Sequence, residues 1–285
     1  MKVGVVGSGQ VAQHLIEEGK KRGLDIVLIG RDGGPAPSKR KHAPDRTYTE
    51  LGDLLAHVKD RDVVINTAAF RDLMACQADA EKAMAINTHL PTLLSSQGPR
   101  QVFISTDYVF RGLQQGPRRE TEQPDSICNY GASKIRGEYG VLDRGGSVVR
   151  ISSPWGIFPS PERAHFVDAI VPKGAASGNL DMPIDQVFSP TYLPDLAPVI
   201  LDVALDEKAD GIYHAVNSGY TNWAEFTRFI FQTLGAKVKV TGSERLDILR
   251  PKFGNLGNSR LPKQRTWPEA LVEYLRGSQK AEDLR

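Results

Sequence analysis

The chain has 285 residues, of which 40% are hydrophobic and 25% charged, a balance that supports a packed core and speaks against disorder. Thirty-six basic and thirty-four acidic residues leave a net charge of +2, so the electrostatic footprint of a nucleic-acid-binding protein is missing. Two cysteines and six scattered histidines form neither a secreted disulfide framework nor a cluster with metal-ligand spacing, and no metal site is expected. The opening run Val3-Gly4-Val5-Val6 is short and broken by glycine, and Glu17, Glu18, Lys20 and Lys21 follow it. A secretory or membrane segment is therefore not expected, and the cytoplasm is the expected location.

In chain order, apolar β-branched runs at 3–6, 26–29, 63–65, 102–104 and 148–151 predict strands. Between them, helical patterns fall at 11–21, 50–58, 78–96 and 130–141. Continuous apolar strands separated by helices predict a parallel sheet with helices on both faces, ligands binding at the carboxyl ends of the strands. After Ile151 the rhythm breaks, with Pro154, Pro159, Pro161, Pro172 and Pro183 punctuating the chain. The expected organisation is an α/β chain with a doubly wound parallel sheet over 1–151, to which 185–216 returns. Residues 152–184 and 217–285 would form a smaller substrate lobe. Helices are expected at 196–205, 223–234 and 269–275 and a strand at 211–216, with a frayed polar end over 276–285.

Gly7-Ser8-Gly9-Gln10-Val11-Ala12 fits Gly-x-Gly-x-x-Ala, directly after the first strand and opening the first helix. Glycines permit the tight turn and close backbone approach, Ala12 lets the helix pack close, and the helix N-terminus suits a pyrophosphate. The pattern predicts a dinucleotide held by Gly7, Ser8, Gly9, Gln10 and Val11. At the end of the second strand, Arg31 suits the 2′-phosphate of NADP, while the adjacent Asp32 could still serve NAD. NADPH is the expected cofactor, with NADH possible. The run Lys39-Arg40-Lys41 is expected to be a solvated loop.

Tyr130-Gly131-Ala132-Ser133-Lys134 lies downstream of Ser105-Thr106-Asp107-Tyr108. On a helix Tyr130 and Lys134 share one face. A nearby ammonium stabilises a phenolate, and the pair suits protonation of a ketone oxygen while hydride arrives on carbon. His214 is expected to be a satisfied core residue, and Trp223 and Trp267 packing anchors.

Taken together, the glycine loop, Asp62-Val63-Val64-Ile65-Asn66-Thr67-Ala68-Ala69-Phe70, Asn87, Ser105 to Gly112, Tyr130 to Lys134 with Gly137-Glu138, Asp185 to Tyr192, Gly211 to His214 and Arg250-Pro251 form an ordered series. The series resembles the extended short-chain dehydrogenase/reductases, and more narrowly the dTDP-4-dehydrorhamnose reductase family. The resemblance implies a Rossmann-type fold and NADPH-dependent reduction of the 4-keto group of a nucleotide-linked 6-deoxy sugar. It implies Thr106, Tyr130 and Lys134 as the catalytic set, with Lys134 depressing the tyrosine pKa. On the cofactor side it implies Asp45, Arg46, Ala68, Ala69, Phe70, Asn87 and Ser105 beside the glycine loop and Arg31. On the sugar side it implies Tyr108, Ser153, Trp155 and Arg250, the last near the diphosphate. It also implies a homodimer. Tyr108 stands where related dehydratases carry Glu, which removes the acid needed to eliminate water.

The chain departs from the family pattern at three places. Its glycine loop is one residue short, Ser153 replaces a sugar-contacting Trp that Trp155 could substitute, and Ala164-His165-Phe166 replaces Asn-Asn-Phe. Two alternatives stay open: a reductase of a different ketone, and a non-catalytic NADP-binding subunit of the methionine adenosyltransferase type.

Overall fold

The computed structural model describes residues 1–31, 42–157, 165–245 and 249–277. Seven strands make the central sheet: β1 (Lys2–Val6), β2 (Asp25–Arg31), β3 (Arg46–Tyr48), β4 (Val63–Asn66), β5 (Arg100–Thr106), β6 (Ser147–Ile151) and β11 (Gly211–His214). All neighbours are parallel, in the order β11-β6-β5-β4-β1-β2-β3. The chain starts in the middle and winds outward both ways, so the order reverses between β1 and β4. This is the Rossmann-type topology, and the crevice at that reversal is where such sheets bind ligands. The residues of β4 and β6 are buried along their whole length, as a sheet covered on both faces requires.

Ten helices are described: α1 (Gln10–Lys21), α2 (Leu51–Val58), α3 (Leu73–Ala78), α4 (Ala80–Met84), α5 (Leu90–Gln97), α6 (Asn129–Leu142), α7 (Phe166–Ser177), α8 (Leu193–Leu205), α9 (Trp223–Thr233) and α10 (Trp267–Gly277). Three short strand pairs join the remaining chain: β7 (Pro154–Trp155) with β10 (Thr191–Tyr192), β9 (Val187–Phe188) with β12 (Thr221–Asn222), and β8 (Asn179–Pro183) with β13 (Lys239–Ser243). None of the described helices is long and apolar enough to cross a membrane.

The helix expected over 78–96 is broken. Asp79 leaves helical geometry and its side chain accepts from the Lys82 N–H, which ends α3 and starts α4. A wide turn at Ala85–His89 then precedes α5, whose second residue is Pro91. Proline has no N–H to give the carbonyl of Asn87, so an α-helical ladder cannot run through this point. The turn directs Asn87 and Thr88 inward, where the Thr88 hydroxyl donates to the Ser133 carbonyl at 2.7 Å. The short edge strand β3 and the pair β8–β13 were not expected from the sequence.

Apolar packing separates into distinct clusters. Val3, Val5, Leu15, Ile65, Val102 and Val149 share one with Leu193, Ile200, Leu201 and Ala215, so α8 and the residues after β11 lie against the sheet. A second cluster gathers Trp155, Val167, Phe188, Phe226, Phe231, Trp267 and Leu271.

Candidate active site

A cavity of about 1600 Å³ opens along the carboxyl ends of the strands. Its walls come from the turn after β1, the ends of β2 and β3, the segment after β4, the end of β5, the start of α6, and the loop after β6. At the floor, Gly7 has φ +113°, and a Cβ there would come within 2.5 Å of the Thr67 hydroxyl and 3.0 Å of the Ala68 nitrogen. Only glycine turns the chain so close beneath β4. Gly9 is the N-cap of α1 and has no side chain to cap it, and a Cβ built on it meets nothing within 4 Å. A helix N-terminus facing open space across bare backbone fits a pyrophosphate, in charge and in closeness of approach.

The other expected residues divide by where they sit. Ser8, Gln10, Val11, Arg31, Ala68, Ala69, Phe70 and Ser105 line the cavity with Gly7 and Gly9, and so do Thr106, Tyr108, Tyr130, Lys134, Ser153 and Arg250. Four do not. Asp45 continues the strand ladder, exchanging a backbone N–H and a side-chain oxygen with Leu28 at 2.8 and 2.7 Å. Arg46 turns away to the His57 carbonyl and to both oxygens of Asp60, at 2.9 and 3.1 Å. Asn87 is buried behind the wall, where it accepts from the Phe70 N–H at 2.9 Å and donates to the Phe70 carbonyl at 2.8 Å. Trp155 is 2% exposed, packed on Tyr192 and Phe226 with ring centroids 5.5 and 5.8 Å away, so it does not take over from Ser153 at the cavity wall. Asp32, the basic run 39–41 and Ala164 lie outside the described residues.

At the deep end, α6 delivers Tyr130 and Lys134 to the wall. Cys128 caps the helix, its sulfur accepting from the Gly131 N–H. A Cβ on Gly131 would come within 2.0 Å of the Tyr108 carbonyl oxygen, so glycine lets the helix start against the turn that carries Tyr108. The Tyr108 and Tyr130 rings meet edge-on at 5.7 Å, and Arg250 donates to the Tyr108 hydroxyl at 2.8 Å. That last bond joins residues far apart in sequence across the mouth of the deep end.

Burial governs the electrostatics of the pair. Lys134 is 1% exposed, its Nζ donates to the Ile104 carbonyl at 2.6 Å and lies 3.7 Å from the centre of the Phe103 ring. Burial lowers its pKa to about 7, with Glu138 one helical turn on pulling the other way. Burial also pushes the Tyr130 phenol well above its ordinary range, opposed by a hydrogen bond with Thr106 and by the charge of Arg71. The ammonium is turned toward the Ile104 carbonyl at the end of β5.

Behind the wall lies a buried polar group. Glu138 and Arg150 are both fully buried and paired at 2.6 and 2.9 Å, and the Ser105 hydroxyl donates to Glu138. His214 lies 3.4 Å from Arg150 and 2.8 Å from the Gly257 carbonyl, and burial holds its pKa down at about 4. Asp107, 4% exposed, accepts from Thr106 and Ser152, and burial raises its pKa to about 6.

Several lining residues carry little signal in the sequence. Tyr48, Thr49 and Leu51 come from the three-residue β3 and its exit, too short to show a period, and Leu93 and Ser96 come from the far side of the broken helix. Arg71 could have been found as the cation that follows Phe70. Among the described residues no group of His, Cys, Asp and Glu has the arrangement of a metal site.

The sequence matches the RmlD substrate binding domain over residues 1–279. The chain belongs to this family. It is 31% identical to the spore coat polysaccharide biosynthesis protein SpsK of Bacillus subtilis, covering 96% of each chain. It is 30% identical to a dTDP-4-dehydrorhamnose reductase of Mycolicibacterium smegmatis, over 76% of this chain and 70% of that one. A solved dTDP-4-dehydrorhamnose reductase of Clostridium acetobutylicum superposes with a TM-score of 0.83 at 28% identity, covering 97% of this chain and 99% of the other.

Proposed function

We propose that this chain is an NADPH-dependent reductase acting on the 4-keto group of a nucleotide-linked 6-deoxy sugar. The observation that carries the reading is one continuous cavity, with a bare helix N-terminus at one end and Thr106, Tyr130 and Lys134 at the other. The reductases named among its relatives support the reaction class.

In this reading 1–151 with 193–216 forms the dinucleotide lobe and 152–184 with 217–285 the sugar lobe, which 185–192 joins by pairing with β7 and β12. Gly7 to Val11 hold the pyrophosphate, and Arg31 the adenosine 2′-phosphate. Ala68, Ala69 and Phe70 shape the adjoining wall, and Asn87 acts from behind it by holding the backbone of Phe70 at both its N–H and its carbonyl. A nicotinamide bound along this wall would supply hydride for the ketone carbon. Tyr130 gives its phenolic proton to the ketone oxygen, and Thr106 hydrogen-bonds the same oxygen. Lys134, on the same face of α6, would stabilise the phenolate left behind once its ammonium turns from the Ile104 carbonyl. Arg250 suits the diphosphate of the nucleotide sugar.

Ser153 presents a small side chain where the family pattern has Trp, so a sugar bulkier at that wall than the usual one is accommodated. The test uses NADPH deuterated at the transferred position, incubated with a panel of dTDP-linked 4-keto-6-deoxy sugars. The reading expects one deuterium at C4 of the product sugar. Label retained in the cofactor with every sugar would contradict it.

A further inference from the structure

Thr106 ends β5, and its hydroxyl has one proton to give. That proton goes to Asp107 Oδ1 at 2.9 Å, while the Thr106 hydroxyl oxygen accepts the Tyr108 N–H at 3.3 Å. The second carboxylate oxygen of Asp107 accepts the Ser152 hydroxyl at 2.7 Å, and Ser152 in turn accepts the Ser189 N–H at 3.3 Å. Ser152 is fully buried, and the next residue, Ser153, is the only described non-glycine with positive φ, at +39°. Such a backbone is strained for a residue with a side chain and persists only where its surroundings hold it. The β7–β10 pairing and the Thr191 N–H on the Ser153 carbonyl hold it from one side, and Asp107 acts through Ser152 from the other.

We propose that Asp107 is a positioning residue that fixes the Thr106 hydroxyl and the Ser152–Ser153 turn to each other as one wall of the cavity's reacting end. The proposal rests on the reductase reading for its catalytic consequence, though not for its geometry. With its proton held by Asp107, Thr106 presents lone pairs in the cavity wall that it shares with Tyr130. As hydride arrives and the ketone oxygen gains charge, the Thr106 proton can swing from Asp107 to that oxygen. Asp107 keeps the Ser152 hydroxyl as a partner throughout, so its carboxylate is never left bare. A carboxylate serves here because it accepts on both oxygens. An amide offers one accepting and one donating end, and must break the pattern at Thr106 or at Ser152.

The test is steady-state kinetics of Asp107→Asn, Thr106→Val and the double variant, with NADPH affinity measured separately by fluorescence. Asp107→Asn is expected to lower kcat roughly 10- to 100-fold, the range of one hydrogen bond to a charged group. KM for the sugar and affinity for NADPH should stay near wild type. In the double variant the loss should fall well short of the product of the two single losses. Multiplying losses, or wild-type kcat in Asp107→Asn, would overturn the proposal. Should Asp107→Asn not fold, Ser152→Ala removes the other half of the clamp, and its kcat is expected to fall at unchanged NADPH affinity; an unchanged kcat counts against the proposal. If the wild-type protein turns over no keto sugar, the reductase reading is what has failed. Ligand-free crystal structures of the two variants then decide: a displaced Thr106 hydroxyl or a relaxed Ser153 supports the clamp, and an unmoved wall contradicts it.

Discussion

Substituting Glu138 by Gln should destabilise this protein more than any surface charge change, and the structure sets the size of the effect. Glu138 and Arg150 are both fully buried, joined by two hydrogen bonds at 2.6 and 2.9 Å. The amide keeps an acceptor for Ser105 but leaves the Arg150 guanidinium charged in a water-free interior, with a half-satisfied fork. Breaking such a pair from one side is worth about 3–5 kcal/mol. At about 2 °C or more per kcal/mol for a chain of this size, the unfolding midpoint should fall by roughly 6–10 °C. The comparison is Asp202→Asn, which removes the Arg22 contact at the surface, where Asp202 is 67% exposed. That change is worth at most about 1 kcal/mol. Replacing both buried partners, as in Glu138→Leu with Arg150→Met, should be more stable than Glu138→Gln alone, since no buried charge then remains uncompensated. The assay is thermal unfolding by circular dichroism, repeated in urea. A midpoint for Glu138→Gln within about 2 °C of wild type would refute the claim that the pair is dry and mutually dependent.

Other consequences follow from the same geometry. Trp155→Ala should cost about 3–5 kcal/mol, as deletion of a buried aromatic does, and leave NADPH affinity intact in the fraction that stays folded; a loss of NADPH binding at full stability would return Trp155 to the cavity. Arg31→Ala should weaken NADPH binding far more than NADH binding, read by fluorescence titration of each, and equal losses would remove the 2′-phosphate role. Stability should fall as pH drops from about 6.5 to about 4, because burial holds both His14 and His214 near 4 while the unfolded chain takes up these protons at 6.5. Asp107, raised to about 6, works in the opposite sense below that pH. Urea midpoints measured at several pH values check the net slope, and His214→Gln should flatten it.

Much of this was legible from residues alone because the responsible patterns are local. Five strands of the central sheet read as apolar runs, Gly7 to Ala12 sit where a strand must turn into a helix, and Tyr130 and Lys134 need only one helical turn to share a face. What escaped depends on partners distant in sequence. Nothing near Arg46 says that Asp60 will take both prongs of its guanidinium, and nothing near Trp155 says that Phe226 will cover it. The break at Asp79 and Pro91 was written in the sequence as a cap and a proline, yet the apolar spacing on either side concealed it. The direction of the Lys134 ammonium was harder still. It depends on the Ile104 carbonyl and the Phe103 ring, which spacing on α6 does not reveal. Asp107 looks like one letter of a motif until the structure shows both its oxygens engaged.

The most direct measurement is NADPH oxidation, followed at the nicotinamide absorbance, with a dTDP-linked 4-keto-6-deoxy sugar and with Tyr130→Phe alongside the wild-type protein. The account predicts turnover by the wild type, and in Tyr130→Phe near-normal NADPH binding with turnover reduced by roughly 10²–10⁴, the usual worth of a positioned proton donor. Turnover by Tyr130→Phe at the wild-type rate would contradict the assignment of the site.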